Sequence, residues 1–171
     1  AKLLTYRDDM APIIGLKPDA LILSDPGLIG MVRETWPEQA IHLSVQANTV
    51  NWAAVRFWQN MGIARVILSR ELALEEIEEI RQRCPDIELE VFVHGALCIA
   101  HSGRCLLSGY LSRRDANQGA CANSCRWAYR VLEETERPGD LMPIEEDEHG
   151  TYILNSRDLR AIEHVARLVE I

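Results

Sequence analysis

Four cysteines, Cys98, Cys105, Cys121 and Cys125, fall close together in a chain of 171 residues. Their spacing is C-x6-C, then fifteen residues, then C-x3-C. Thiolates are soft ligands, and four of them suit either Zn²⁺ or an iron–sulfur cluster. Structural zinc usually brings a C-x2-C or C-x4-C knuckle, and neither gap has that form. The irregular spacing is easier on a cubane, whose corners lie farther apart. A 4Fe–4S cluster is therefore the expected cofactor, with zinc as the alternative. A set of unrelated thiols is the plain reading, but a polar, Gly-rich segment is not where core cysteines collect. Cys84 is the contrast: it continues the apolar face of a helical pattern and reads as a small core residue.

The charge pattern marks the same segment. The chain carries a net −8, which argues against a generic nucleic-acid binder. Between His94 and Arg130, however, Arg104, Arg113, Arg114, Arg126 and Arg130 face a single acid, Asp115, so this stretch is +4 and the remainder −12. On an RNA substrate, which only the family resemblance given below implies, these arginines would hold phosphates and Tyr110, Trp127 or Tyr129 would stack a splayed base. Charge balance and solubility are the plain alternative. Five cysteines without a secretory signal pattern point to a reducing compartment, the cytoplasm, and no apolar run is long enough to span a bilayer.

The elements that must position these groups are legible in the first 95 residues. Short apolar runs at Ala20–Leu23, Ile41–Val45, Arg65–Leu68 and Leu89–Val93 read as strands buried on both faces. Helical patterns lie between them: Gly27–Thr35, Thr49–Met61 and Leu72–Arg83. Strand and helix in regular alternation mean a parallel sheet with helices outside it. An open doubly wound sheet and a (β/α) barrel both fit, and the absence of G-x-G-x-x-G lowers the dinucleotide-binding version of the former. Polar residues follow each strand: Asp25, Gln46 with Asn48, Arg70 with Glu71, and His94. In a barrel those positions line the catalytic mouth, so these six are candidates for substrate contact or proton handling. Helix capping is their plain reading, notably for Asp25, for Asn48 before Thr49 and for Ser69.

From Gly95 to Gly150 the rhythm breaks into a Cys-rich excursion that ends in the acidic run Glu145–Glu148. Thr151–Leu154 then reads as a fifth strand and Leu159–Glu170 as an amphipathic helix. The expected fold is thus α/β, a partial TIM-type barrel of parallel strands, residues 1–171 as one domain, with 95–150 as an insertion after the fourth strand. Five strands are too few to close an eight-stranded barrel. With no initial Met, the chain reads as an internal fragment of a longer protein. Exposed edges in such a piece would favour self-association as a dimer.

The run from Glu90 to Ser108, EVFVHGALCIAHSGRCLLS, resembles the signature of the U-32 peptidase family, the collagenase-like proteases. The likeness extends through Ser24-Asp-Pro-Gly-Leu, His42-Leu-Ser-Val-Gln-Ala-Asn, Val66-Ile-Leu-Ser-Arg-Glu-Leu, Cys121-Ala-Asn-Ser-Cys-Arg-Trp and Glu146-Asp-Glu-His-Gly-Thr-Tyr to a tRNA-hydroxylating subgroup. That resemblance implies an oxygen-independent hydroxylase acting on the wobble uridine of certain tRNAs, with prephenate as the hydroxyl donor. It also implies that Cys98, Cys105, Cys121 and Cys125 hold a 4Fe–4S cluster. Asn155-Ser156-Arg157-Asp158 resembles a family Asn-Ser-Lys-Asp motif, with Arg in place of Lys.

Two other classes compete. A peptidase, as the family label says, would need Cys98 as a free nucleophile with His94 or His101 as base, which competes with ligation. No H-E-x-x-H or G-x-S-x-G is present to help it. A zinc-stabilised scaffold without activity is the third. His42 reads as a core histidine, His149 as a turn residue and His164 as surface or packing.

Overall fold

The computed structural model describes residues 2–95, 98, 100–126, 132–133, 141–142, 144–147, 150–153 and 159–171. They divide into two compact units, one comprising residues 1–91 with Ile171, the other residues 92–170.

In the first unit a helix, α1 (Lys2–Gly15), precedes three strand–helix repeats and a fourth strand: β1 (Leu21–Leu23), α2 (Pro26–Thr35), β2 (Ile41–Leu43), α3 (Trp52–Asn60), β3 (Arg65–Ile67), α4 (Leu74–Arg83) and β4 (Glu88–Glu90). The strands form one parallel sheet in the order β1-β2-β3-β4. This order never reverses, whereas a doubly wound sheet changes direction at its switch point.

Side chains alternate across a strand, so each strand presents two rows. Leu21, Ile41, Leu43 and Val66 make the buried row, and Ile29, Val32, Val55, Ile77 and Ile80 are the buried residues of the helices that complete the core. The other row is different. Ile22 is 62% exposed, and the register carries it across His42 and Arg65 to Glu88. Arg65 is ion-paired to Glu88 at 2.8 Å and to Glu90 at 3.2 Å. The expectation of strands buried on both faces is corrected here. Only Ile67 of this second row is buried, and the fourth strand starts earlier than its apolar residues suggested, because Glu88 and Glu90 pair with Arg65. Cys84 is buried as expected, with its thiol donating to the Trp52 carbonyl at 3.4 Å. Trp52 in turn lies between the guanidinium groups of Arg56 and Arg83, 5.0 and 4.9 Å from its ring centre.

The second unit contains small pieces: β5 (His94–Gly95), α5 (Leu107–Ser112), β6 (Leu132–Glu133), β7 (Leu141–Met142), β8 (Ile144–Asp147), β9 (Gly150–Ile153), β10 (Leu159–Arg160) and α6 (Val165–Glu170). Two expectations fail here. The strand expected at Thr151–Leu154 is β9, and it pairs antiparallel with β8 rather than extending the parallel sheet. Only Glu148 and His149 separate the two strands, whereas a parallel crossover needs a dozen or more residues. The helix expected from Leu159 begins only at Val165. Leu159 and Arg160 instead pair with Gly95 and His94, a long-range ladder that overrides local helix preference. No helix among the described residues is long and apolar enough to cross a membrane.

Candidate metal centre

The cysteine-bearing segment folds through turns and side-chain clasps. Gly103, with φ 74°, turns the chain between Cys98 and Cys105. Helix α5 follows and ends at Arg113, itself in the left-handed region at φ 55°. Asp115 starts the 3-10 turn Ala116–Gln118 by accepting from the Asn117 N–H at 2.9 Å. A second 3-10 turn, Ser124–Arg126, carries Cys125.

None of the cysteines is in a disulfide; Cys98 and Cys121 are exposed, Cys105 and Cys125 half-buried. Burial pushes the Cys125 thiol pKa up. The Arg126 guanidinium pulls it down, while negative charge on Cys98 and Cys121 pushes it further up. Such a desolvated thiol ionises readily only beside a compensating cation. Among the described residues, no three His, Cys, Asp or Glu side chains close on a point as a single metal ion requires.

The basic residues lie in the same unit. Arg104, Arg113 and Arg114 are exposed and Arg126 is half-buried. Tyr110, on α5, is 86% exposed. Arg130, Trp127, Tyr129, His149 and the segment Asn155-Ser156-Arg157-Asp158 lie outside the described residues.

The strand-end candidates separate by role. Asp25, Gln46, Asn48, Arg70 and Glu71 follow the C-terminal ends of β1, β2 and β3, on one edge of the sheet. Asp25 caps α2, its Oδ1 accepting from the Leu28 N–H at 2.8 Å. Gln46 lies in the 3-10 turn Val45–Ala47, and Asn48 ends that turn at φ 57°. Asn48 does not cap α3. Asn51 does, accepting from the Ala54 N–H at 2.9 Å. Ser69 does not cap α4 either: the position before α4 is Ala73, whose N–H donates to the Glu76 carboxylate at 2.8 Å. Arg70 and Glu71 occupy a turn. His94 was expected directly after β4 but lies in β5, paired with Arg160. His42 is half-buried in β2. His101 is exposed, its Nδ1 3.4 Å from the Ser102 carbonyl. His164 pairs with Glu163 at 3.7 Å near the surface.

The whole chain, residues 1–171, matches the family described as peptidase family U32. The chain belongs to peptidase family U32. Its similarity is strong to the tRNA hydroxylation protein P of Escherichia coli, 55% identical over 208 aligned residues that cover 99% of this chain and 46% of that protein. The tRNA hydroxylation protein P of Haemophilus influenzae is 51% identical, covering 98% of this chain and 45% of its own length. The 23S rRNA 5-hydroxycytidine C2501 synthase of Escherichia coli is 35% identical over 70% of this chain and 18% of its own length. The chain therefore spans just under half the length of the tRNA-related proteins. No solved structure matches it.

Sequence reasoning passed over Asn117 and Ser108, which hydrogen-bond the backbone of Cys105 and of Ala122. Neither is a ligand type for soft metals, so a search by metal chemistry passes over them.

Proposed function

We propose that this chain carries the iron–sulfur part of an RNA hydroxylase that converts the wobble uridine of tRNA to 5-hydroxyuridine. The observation that carries the reading is the clustering of Cys98, Cys105, Cys121 and Cys125 in one short segment of a U32 chain similar to named tRNA and rRNA hydroxylating proteins. Cys98, Cys105, Cys121 and Cys125 would hold a 4Fe–4S cluster. Zinc is the alternative; the irregular C-x6-C and C-x3-C spacing, without a C-x2-C or C-x4-C knuckle, favours the wider cubane.

Replacing the C5–H of uracil by C5–OH takes two electrons from the base. Without dioxygen, a small hydroxyl donor must bring the oxygen and accept those electrons, and prephenate is the proposed donor. Bound in this unit, the cluster would supply redox capacity to the reaction. Arg104, Arg113 and Arg114 offer exposed guanidinium groups to RNA phosphates, and Tyr110 an exposed ring to a splayed base. Gln46, Asn48, Arg70 and Glu71 are proposed substrate contacts, while the capping bond gives Asp25 a structural role already. The unreversed strand order supports a segment of a (β/α) barrel as the scaffold.

The test uses the full-length protein that carries this chain. Purified without oxygen, it should be brown, with iron and sulfide near cluster stoichiometry. Expressed in cells lacking their own tRNA hydroxylation protein, it should restore 5-hydroxyuridine derivatives in nucleoside mass spectrometry, and Cys121→Ser should abolish them. A colourless protein holding zinc would overturn the cluster. Unchanged modification by Cys121→Ser would remove the centre from the reaction.

A further inference from the structure

Fifteen residues separate Cys105 from Cys121, and side chain to backbone hydrogen bonds clasp the two ends of that stretch. Asn117 grips Cys105 from both sides. The Cys105 N–H donates to Asn117 Oδ1 at 3.2 Å, and Asn117 Nδ2 donates to the Cys105 carbonyl at 2.9 Å. Asn117 is itself fixed, its N–H donating to Asp115 Oδ1 at 2.9 Å. The second clasp is Ser108, only 1% exposed. Its Oγ accepts from the N–H of Ala122, the neighbour of Cys121, at 3.0 Å, and its carbonyl accepts from the Ser112 hydroxyl at 2.6 Å. Beyond Ala122, Asn123 adopts φ 52°, which aims its N–H at the Cys121 sulfur, 3.3 Å away.

We propose that Asn117 and Ser108 are positioning residues that preform the ligand loop, Asn117 seating Cys105 and Ser108 seating Cys121. The inference rests on the cluster reading above. Its physical basis is that no large apolar side chain between Ala100 and Arg126 is buried, so polar clasps hold the backbone that carries Cys105 and Cys121. Groups behind the ligands orient them and tune the metal, and hydrogen bonds to the sulfurs help set the potential of a cluster. The Ser108 clasp fixes Ala122, and so the direction of the Asn123 N–H toward Cys121. Ser108 therefore acts on potential as well as on retention.

The test is anaerobic reconstitution of the full-length protein with iron and sulfide, followed by chelator-driven cluster loss and a redox titration read by electron paramagnetic resonance. Asn117→Ala and Ser108→Ala should lose the cluster on the order of 10-fold faster than the unaltered protein, with circular dichroism unchanged. Asn117→Asp, which keeps the acceptor and loses the donor, should fall between. Ser108→Ala should also move the midpoint potential, and Ser108→Thr, which keeps the hydroxyl, should restore it. Loss rates and potentials equal to those of the unaltered protein would overturn the proposal while leaving the cluster in place. Unfolding of both Asn117→Ala and Asn117→Asp would overturn it too, making Asn117 a general folding residue. An unaltered protein that takes up no iron would instead overturn the cluster reading itself.

Discussion

The parallel sheet and the cysteine segment are held together by different physics. The buried apolar residues from Leu21 to Ile87 belong to the first unit. Between Ala100 and Arg126, in the second unit, the buried residues are Ser102, Ser108 and Ser124. The sheet follows the ordinary rule that apolar burial drives folding. The cysteine segment joins short elements through Asn117, Ser108 and Asp115, each bond worth only about 1 kcal/mol net. A segment so built gains cohesion from a bound metal, the role proposed for the four cysteines.

The largest effect expected from this contrast is removal of the metal. Where ligation is coupled to folding it is worth on the order of 10 kcal/mol, far more than the clasps. Chelation, or Cys105→Ser, should therefore open residues 92–170 to proteolysis and fast amide exchange while residues 2–91 stay protected. Equal protection of both units after iron removal would show that the second unit stands without its cofactor.

The converse change belongs to the core. Leu43 is fully buried, so Leu43→Ala should cost roughly 2–5 kcal/mol and lower the melting temperature of the first unit. Iron content per chain should stay constant. A parallel loss of iron would mean that the two units unfold as one and that the contrast between them is only compositional.

Much of the first unit was legible in the sequence because its signal is local. Val66 between Arg65 and Ile67, or Ile77 and Ile80 among the glutamates of α4, declare their element by spacing. What misled was charge on the sheet: Glu88 and Glu90 do not look like strand residues until Arg65 is known to lie beside them. α1 was missed because Pro12 sits inside it, where proline usually breaks a helix. In the second unit the candidate ligands were legible by residue type, since four thiols declare themselves. The clasps were not, because an Asn and a Ser carry no spacing signal for hydrogen bonds to backbone 12 and 14 residues away. The β9 and β10 pairings failed for the same reason: antiparallel partners are chosen by tertiary context.

The smallest effect concerns Asp25, the residue on which a chemical and a structural reading meet. Its carboxylate accepts from the Leu28 N–H at the start of α2, behind Pro26. Asp25→Ala should therefore cost about 1 kcal/mol of stability in the first unit, and Asp25→Asn, which keeps the acceptor, much less. A second readout lies close by. Burial raises the Tyr6 pKa, and the negative charge of Asp25 raises it further. Both variants remove that charge, so the Tyr6 phenol should ionise at lower pH in each, visible in its ultraviolet absorbance. If Asp25 is only a cap, Asp25→Asn leaves cluster content and tRNA hydroxylation intact while Tyr6 shifts. If hydroxylation disappears with the fold and cluster retained, the carboxylate takes part in the chemistry, and the division between scaffold and reactive region has to be redrawn at the C-terminal edge of the sheet.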